Sequence, residues 1–396
     1  MLERLINLNN TVNISKNLPF TLEEYDYRLH EVRKVMSKQS IDILLVNDPV
    51  ELNYLLGYRS FGYDALPWQC LIITPSTDPI VITRKLQSAA YKDQTCAEDI
   101  YFYGDNDDPL KLTIEILRKL GTASNVIAIP FRTKYITPYH MDYFKKELYD
   151  VENIIDGTDI ITECRLIKSK QEIEYIEQSA YMTDTVMKNV TKKLKKYPSE
   201  KEIATVVMHD LLDMGSEHPG GLNPIIGIGN RSAYGHPTWE NHRAKDQDVI
   251  FLEFSGSVYR YFSPIMRTLS VGEPTELAKR FEEGSRYAVN QVINNTYPGM
   301  TAEEVAIVCN KALAEAGVSE YSHVRTGYSV GVGFTSWRDG ISIKEGEKTI
   351  LKENMVFHIL PYLTDFKTGV AVSEMIVIEE NGARKISDIP QEILVI

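Results

Sequence analysis

Residues Asp248–Thr268 read DVIFLEFSGSVYRYFSPIMRT, a pair of apolar runs with a polar turn between them. Val249, Ile250, Phe251, Leu252 and Phe254 surround a single acid, Glu253, which falls at an inward-facing position of the first strand. Burying a carboxylate is costly unless it is paired or put to use. The residues alone therefore leave two readings of Glu253. It is a buried salt-bridge partner for Arg260 or Arg267, or it is a catalytic group. Both readings predict a partner, and only the second predicts chemistry.

The same stretch is similar to a strand pair of the pita-bread hydrolases, the methionine and proline-specific aminopeptidases and prolidases. There it reads roughly L-D-x-G and then Y-x-S-D-x-T-R-T, and its two aspartates bind divalent metals. Counting back from Arg267-Thr268, Pro264 stands at the second aspartate and Glu253 at the first. The family's G-H-G-x-G histidine is matched by Tyr328 in Thr326–Gly331, and the glutamate of M-V-F-x-x-E-P by Leu360 in Met355–Pro361. A last glutamate is kept as Glu374 in AVSEMIVI. At most two carboxylates survive, whereas zinc, cobalt or manganese take about three to six placed N or O ligands. The resemblance thus implies the fold with no metal and no other cofactor.

What remains resembles the metal-free branch of that fold, creatinase and the ectoine hydrolases, over nearly the whole chain. Ectoine hydrolases carry F-F-E-I-A-G-C-x-x-R-Y-x-x-P-L-S-R-T, matched by Phe251–Gly256, Arg260-Tyr261, Pro264 and Arg267-Thr268. Their S-R-T-G-Y-A-I-G is matched by Val324–Gly331 and their M-x-F-H-x-M by Met355–Leu360, His358 included. Creatinase has a catalytic histidine twelve residues before the aspartate that opens the strand, and His236 lies twelve residues before Asp248. Two stretches depart from the pattern. D-W-G-E-R becomes Ser336-Trp337-Arg338-Asp339-Gly340, and W-G-L-E-I-T-E becomes Thr368–Glu374, keeping only its last glutamate. Both departures are expected to line the substrate pocket.

Each site residue carries a plain reading beside the one the resemblance implies. Glu253 would attack an amidine carbon or anchor a cationic nitrogen. His236 lies in a turn-rich loop, where a lone histidine is commonly solvated or capping; its spacing to Asp248 makes it a general acid/base candidate, a role that suits imidazole. His358 sits mid-strand among Val356, Phe357, Ile359 and Leu360, as a catalytic group or a satisfied core histidine. Among substrate-binding candidates, Tyr328 is a phenolic donor or an aromatic wall. Arg325 is a bidentate carboxylate clamp or an inter-strand ion pair. Glu374 binds a substrate nitrogen or orients a histidine, and Tyr261 is carried by its motif. Trp337, with Trp239 and Trp68, offers a face to a flat cation or fills a domain interface.

Outside the motifs the chain reads as an ordinary soluble enzyme. Its 396 residues suit two domains, and 43% hydrophobic residues with 10% aromatics suffice for large cores. A net charge of -12 argues against nucleic acid or an anionic membrane as partner. Met1–Asn17 shows neither an apolar h-region nor an A-x-A site, and no apolar run approaches ~18 residues. Cys70, Cys96, Cys164 and Cys309 are widely spaced without C-x-x-C and read as reduced thiols. A cytoplasmic protein is expected.

The expected fold is an N-terminal creatinase-like α/β domain over 1–164 and a pita-bread domain over 165–396, a curved antiparallel sheet with flanking helices. Upstream, Asp42–Val46, Cys70–Thr74, Ile80–Thr83 and Val126–Ile129 read as strands, with a capping box at Thr21/Glu24 opening a helix. Downstream, boxes at Ser169/Glu172, Ser199/Glu202 and Thr301/Glu304 open three more, the last closed by Gly317, and Asn381-Gly382 marks a hairpin. Gly220-Gly221 lacks the context of a dinucleotide site. Asn53–Tyr58 resembles the N-Y-L-T-G-Y of a family in which one subunit reaches its partner's site. That implies a homodimer, with Tyr63 or Trp68 contributed across it.

Taken together, the resemblance implies a metal-independent C–N hydrolase that opens a small cyclic amidine, ectoine or hydroxyectoine, to N-acetyl-2,4-diaminobutyrate. The alternatives are a creatinase-like amidinohydrolase or another small amidine or amide hydrolase, a relative of the Xaa-Pro peptidases, and a non-catalytic binding protein.

Overall fold

The computed structural model describes residues 16–60, 68–121, 126–148, 153–217 and 224–396. Most of Met1–Asn17, together with Tyr63 and Gly220-Gly221, lies outside them. The chain forms two compact units, Met1–Cys164 and Arg165–Ile396. Among the described residues no helix is long and apolar enough to cross a membrane, and no disulfide joins the four cysteines.

The first unit is a six-stranded mixed sheet. The four expected strands appear in it, as Ile43–Val46, Cys70–Ile73, Ile80–Arg84 and Val126–Ile129. Two further edge strands, Asp99–Tyr103 and Asn153–Asp156, pair parallel with Ile80–Arg84 and Val126–Ile129. Neither edge strand is fully buried. The first helix spans Leu22–Lys38, and the Thr21 hydroxyl accepts from Glu24 N–H at 3.4 Å. The Glu24 carboxylate accepts from Arg28 Nε at 3.0 Å. Trp68 is buried, and its indole donates to Thr113 Oγ1 at 3.0 Å. It is a core residue of its own unit, which corrects the expectation that it reaches a partner's site.

The second unit repeats one plan twice, a helix pair laid on a sheet. Helices Lys170–Lys193 and Glu200–Asp213 open at complete capping boxes, Ser169/Glu172 and Ser199/Glu202. Their apolar faces, including Val186, Val190, Ile203 and Val207, pack on Ile226, Ile250, Leu252 and Phe254. The sheet beneath them runs Leu394–Val395, Ile265–Ser270, Val249–Phe254, Ile225–Ile228. Helices Glu276–Asn294 and Ala302–Glu315 cover the second sheet through Phe281, Val289, Val305 and Cys309 against Phe357, Ile359, Ile376 and Ile378. That sheet runs Arg338–Ile343, Gly327–Val330, Val356–Ile359, Glu374–Glu379, Gly382–Lys385. Gly317, at φ +67°, follows the end of the last helix. In the closing hairpin Glu379 pairs with Gly382, so the turn is Glu380-Asn381, one residue earlier than expected. The pairing is antiparallel throughout except for the short edge strand Leu394–Val395, which lies parallel to Ile265–Ser270.

Side chains alternate across a strand, so whatever does not face the helices faces the other sheet. Ile250, Leu252 and Phe254 join the helix-side core, and Glu253 therefore points inward. On the second sheet Phe357 and Ile359 join their helices' core and leave His358 inward. The register places Ser342, Tyr328, His358 and Met375 side by side across four strands. The two inner faces are tied together by backbone and side-chain bonds, Met266 N–H to Ser373 Oγ at 2.7 Å and Ala371 N–H to Thr268 Oγ1 at 3.0 Å.

Candidate active site

Glu253 is 1% exposed, and among the described residues its carboxyl has no hydrogen-bond or ion-pair partner. Burial alone pushes its pKa up to about 8. Neither arginine of the salt-bridge reading holds it. Arg267 is fully buried and pairs with Glu374 at 2.8 Å, donating also to the carbonyls of Ser373, Met266, Pro390 and Ile389. The Arg260 guanidinium lies over the Phe334 ring.

Facing Glu253 is a chain of buried polar groups. The Tyr328 hydroxyl accepts from Trp337 Nε1–H at 2.9 Å and meets His358 Nδ1 at 3.2 Å. His358 Nε2 meets Ser373 Oγ at 2.6 Å. Burial, reinforced by the Arg267 charge, pushes the His358 pKa down to about 3, so its ring is neutral at physiological pH. Burial also holds the Tyr328 phenol protonated, and the charge of Glu253 adds to that effect. That coupling puts Tyr328 and Glu253 within electrostatic reach of each other across the inter-sheet space.

At the open end of the row, Arg325 Nη1 donates to Ser342 Oγ at 2.6 Å and Arg338 Nη2 to the same oxygen at 3.1 Å. Neither guanidinium has a carboxylate partner among the described residues. Arg338 has its pKa lowered by partial burial and then by the charge of Arg325. Two like charges thus converge on one hydroxyl, with no acid between them among the described residues.

The other sequence candidates fall differently. Trp337 is 2% exposed, so its ring offers no face to a substrate; it serves the site through its N–H. Tyr261 is fully buried and donates to Glu172 Oε1 at 2.8 Å, a structural bond between strand and helix. Glu374 is likewise buried, one oxygen held by Arg267 and by Gln391 Nε2 at 3.1 Å, while Oε2 makes no hydrogen bond among the described residues. These three side chains are engaged in packing and pairing, Trp337 with Tyr328, Tyr261 with Glu172, and Glu374 with Arg267 and Gln391.

His236 is exposed, and no side-chain contact joins it to Glu253, Tyr328 or His358 among the described residues. Its turn is anchored nearby. Tyr362 donates to Ser232 O at 2.6 Å, and its ring packs edge-on against Phe251, two residues before Glu253 on the same strand face.

Three residues escaped the sequence reading. Ser373 shows only as a polar residue inside the apolar run AVSEMIVI. Arg338 is the arginine displaced from D-W-G-E-R, and it comes to rest beside Tyr328. Asp339 is the shortened acid of that run. It is buried between Lys168 Nζ at 3.1 Å and Arg165 Nη2 at 3.0 Å.

The sequence matches the Creatinase/Prolidase N-terminal domain over residues 28–167 and Metallopeptidase family M24 over residues 174–380, more than half of the chain. The protein belongs to Metallopeptidase family M24 and has its pita-bread fold. It is 27% identical to an ectoine hydrolase of Halomonas elongata over 96% of this chain and all of that one. It is 28% identical to an Xaa-Pro dipeptidase of Pyrococcus furiosus over 93% of this chain and 99% of that one. A prolidase of Thermococcus sibiricus superposes with a TM-score of 0.85 at 22% identity, covering 94% of this chain and 99% of that structure.

The family name implies divalent metals, and the donor set does not fit them. Pro264 and Leu360 have no donor, Glu374 is spent on Arg267, and Tyr328 is held as a neutral phenol. Glu253 is left as a single carboxyl, below the ligand number these ions take.

Proposed function

We propose that this M24 hydrolase cleaves a C–N bond without a divalent metal, in a small substrate that joins a planar cationic N–C–N unit to a carboxylate, with ectoine or hydroxyectoine as the leading candidate. Glu253 carries the reading. It is a buried carboxyl with no counter-charge among the described residues, and burial pushes its pKa up to about 8. A bound amidinium supplies the missing counter-charge and favours the carboxylate form, ready to attack the amidine carbon or hold its nitrogen. Arg325 and Arg338 would seat the substrate's carboxylate. His236, exposed at the surface, would exchange protons with water.

The relatives' identities do not separate this reading from a dipeptidase. The M24 peptidase reading depends on ligands that Pro264, Leu360 and the Arg267–Glu374 pair remove. A homodimer is proposed on the likeness of Asn53–Tyr58, and light scattering of the purified protein would test it.

The deciding experiment incubates chelator-treated protein with ectoine, hydroxyectoine and creatine and reads products by mass spectrometry. A product one water heavier, formed at an unchanged rate after chelation, is expected. Activity that disappears with chelator and returns with zinc, cobalt or manganese overturns the metal-independent reading. Cleavage of an Xaa-Pro dipeptide with none of the three amidines turned over overturns the substrate class.

A further inference from the structure

We infer that Tyr328 meets the substrate as an obligatory hydrogen-bond donor, and that Ser373, a residue out of reach of the substrate, sets this polarity through His358. The inference rests on the hydrolytic reading of the site. It follows from counting protons along one chain of contacts.

The chain begins at the backbone. Met266, opposite Glu253 in the strand register, donates its N–H to Ser373 Oγ at 2.7 Å. Ser373 is fully buried, and among the described residues the ring nitrogen His358 Nε2 at 2.6 Å is the acceptor within reach of its hydroxyl proton. If Ser373 O–H donates to Nε2, fully buried Ser373 makes both its bonds, and the one proton left over is that of the half-buried Tyr328. The neutral imidazole then carries its proton on Nδ1 and donates to Tyr328 Oη at 3.2 Å. In the opposite tautomer Nε2–H donates to Ser373, and a buried hydroxyl proton is left without an acceptor, which forfeits its full desolvation. The first tautomer is therefore the stable one. A neutral ring is required, and the deep burial of His358 keeps it so.

Tyr328 Oη then accepts twice, from His358 Nδ1–H and from Trp337 Nε1–H at 2.9 Å. Its own O–H is the bond left to make. Tyr328 is the half-buried member of the row, so that O–H opens into the inter-sheet space it shares with Glu253. There it serves the oxygen that adds to the attacked carbon. A phenol held firmly protonated donates a hydrogen bond without giving up its proton, so no proton transfer is involved. Ser373 and Trp337 are positioning residues: they fill the acceptor sites of the chain and leave the donor facing outward.

The test begins with nitrogen-15 spectra of [15N]histidine-labelled full-length protein, which need no substrate. The His358 signals are assigned by their loss in His358→Gln or, should that variant not fold, as the pair that moves in Ser373→Ala. A protonated-type shift at Nδ1 and an unprotonated one at Nε2 are expected. The reverse pattern overturns the inference, because Tyr328 O–H would then be spent on Nδ1. If ectoine is turned over, Tyr328→Phe should lower kcat by about 10²–10³-fold, the usual effect of removing one preorganised donor. Ser373→Ala should lower kcat about tenfold or more with little change in KM, from the same unpinned donor. Ser373→Thr, which keeps the hydroxyl, should restore both the rate and the shifts. Equal rates in wild type, Ser373→Ala and Tyr328→Phe would sink the donor role. Failure of ectoine turnover with the expected tautomer present would sink the substrate reading and leave the polarity standing.

Discussion

Replacing Glu253 by glutamine should stabilise the protein, and the gain should grow with pH. The carboxyl titrates at 4.5 in an unfolded chain and at about 8 in the fold, so the native state holds its proton more tightly. Its contribution is complete below pH 4.5 and is lost as pH rises to 8, because the unfolded chain releases the proton first. At 1.36 kcal/mol per pH unit, the interval corresponds to roughly 4–5 kcal/mol above pH 8, an upper bound that relaxation and water entry reduce. The amide that replaces the carboxyl is neutral at every pH and escapes this cost. One kcal/mol moves the melting temperature by about 2–4 °C in a unit of this size. The variant should therefore melt close to wild type at pH 5 and ~5–15 °C higher at pH 9, read by scanning calorimetry of the transition that includes residues 165–396. It should also be inactive. A difference in melting temperature that is the same at pH 5 and pH 9 would refute the claim that Glu253 is an uncompensated buried acid. A stabilised, dead variant is the signature of a group kept for function at the expense of the fold.

Three other outcomes follow from the contacts. Arg325→Ala and Arg338→Ala should each raise KM for a carboxylate-bearing substrate more than they lower kcat, and the effect should vanish with an esterified analogue; equal losses on both substrates would remove the anion seat. His236→Ala should leave the melting temperature unchanged, since the side chain is exposed, and lower the rate per folded molecule; an unaltered rate would confine His236 to the loop. Asp339→Asn should destabilise by ~3–5 kcal/mol in denaturant titration, because it leaves Lys168 and Arg165 buried without their acid. A loss below ~1 kcal/mol would show that water already reaches the cluster.

Local chemistry made much of the fold readable from single residues. The boxes at Ser169/Glu172, Ser199/Glu202 and Thr301/Glu304 are complete because a capping box is closed within four residues. Thr21/Glu24 is not completed, and the reason is an Arg28 side chain one turn along that takes the Glu24 carboxylate. Glu253 stood out as the one acid in an apolar strand, and Pro264 and Leu360, which have no donor, fall at ligand positions by the family resemblance. Side-chain alternation, once the helix-side neighbours are known, turns Glu253 and His358 inward.

Pairing across the unit was not readable in the same way. Which carboxylate Arg267 takes, Glu253 or Glu374, depends on how a strand at 265–270 meets one at 374–379. The burial of Trp337 and Tyr261 depends on Tyr328 and on Glu172, residues 9 and 89 positions away in sequence. The polarity of the site depends on Ser373 reaching His358 from the neighbouring strand and Met266 from the other sheet. A residue's type states what it can donate, accept or ionise, and its spacing states which face of an element it occupies. Sequence therefore determined the fold and the inward acid, and the family resemblance marked where Pro264 and Leu360 stand in place of ligands. Only the packing of the two sheets decided which acid is neutralised, which is left without a partner among the described residues, and which hydroxyl keeps its hydrogen bond free of the protein.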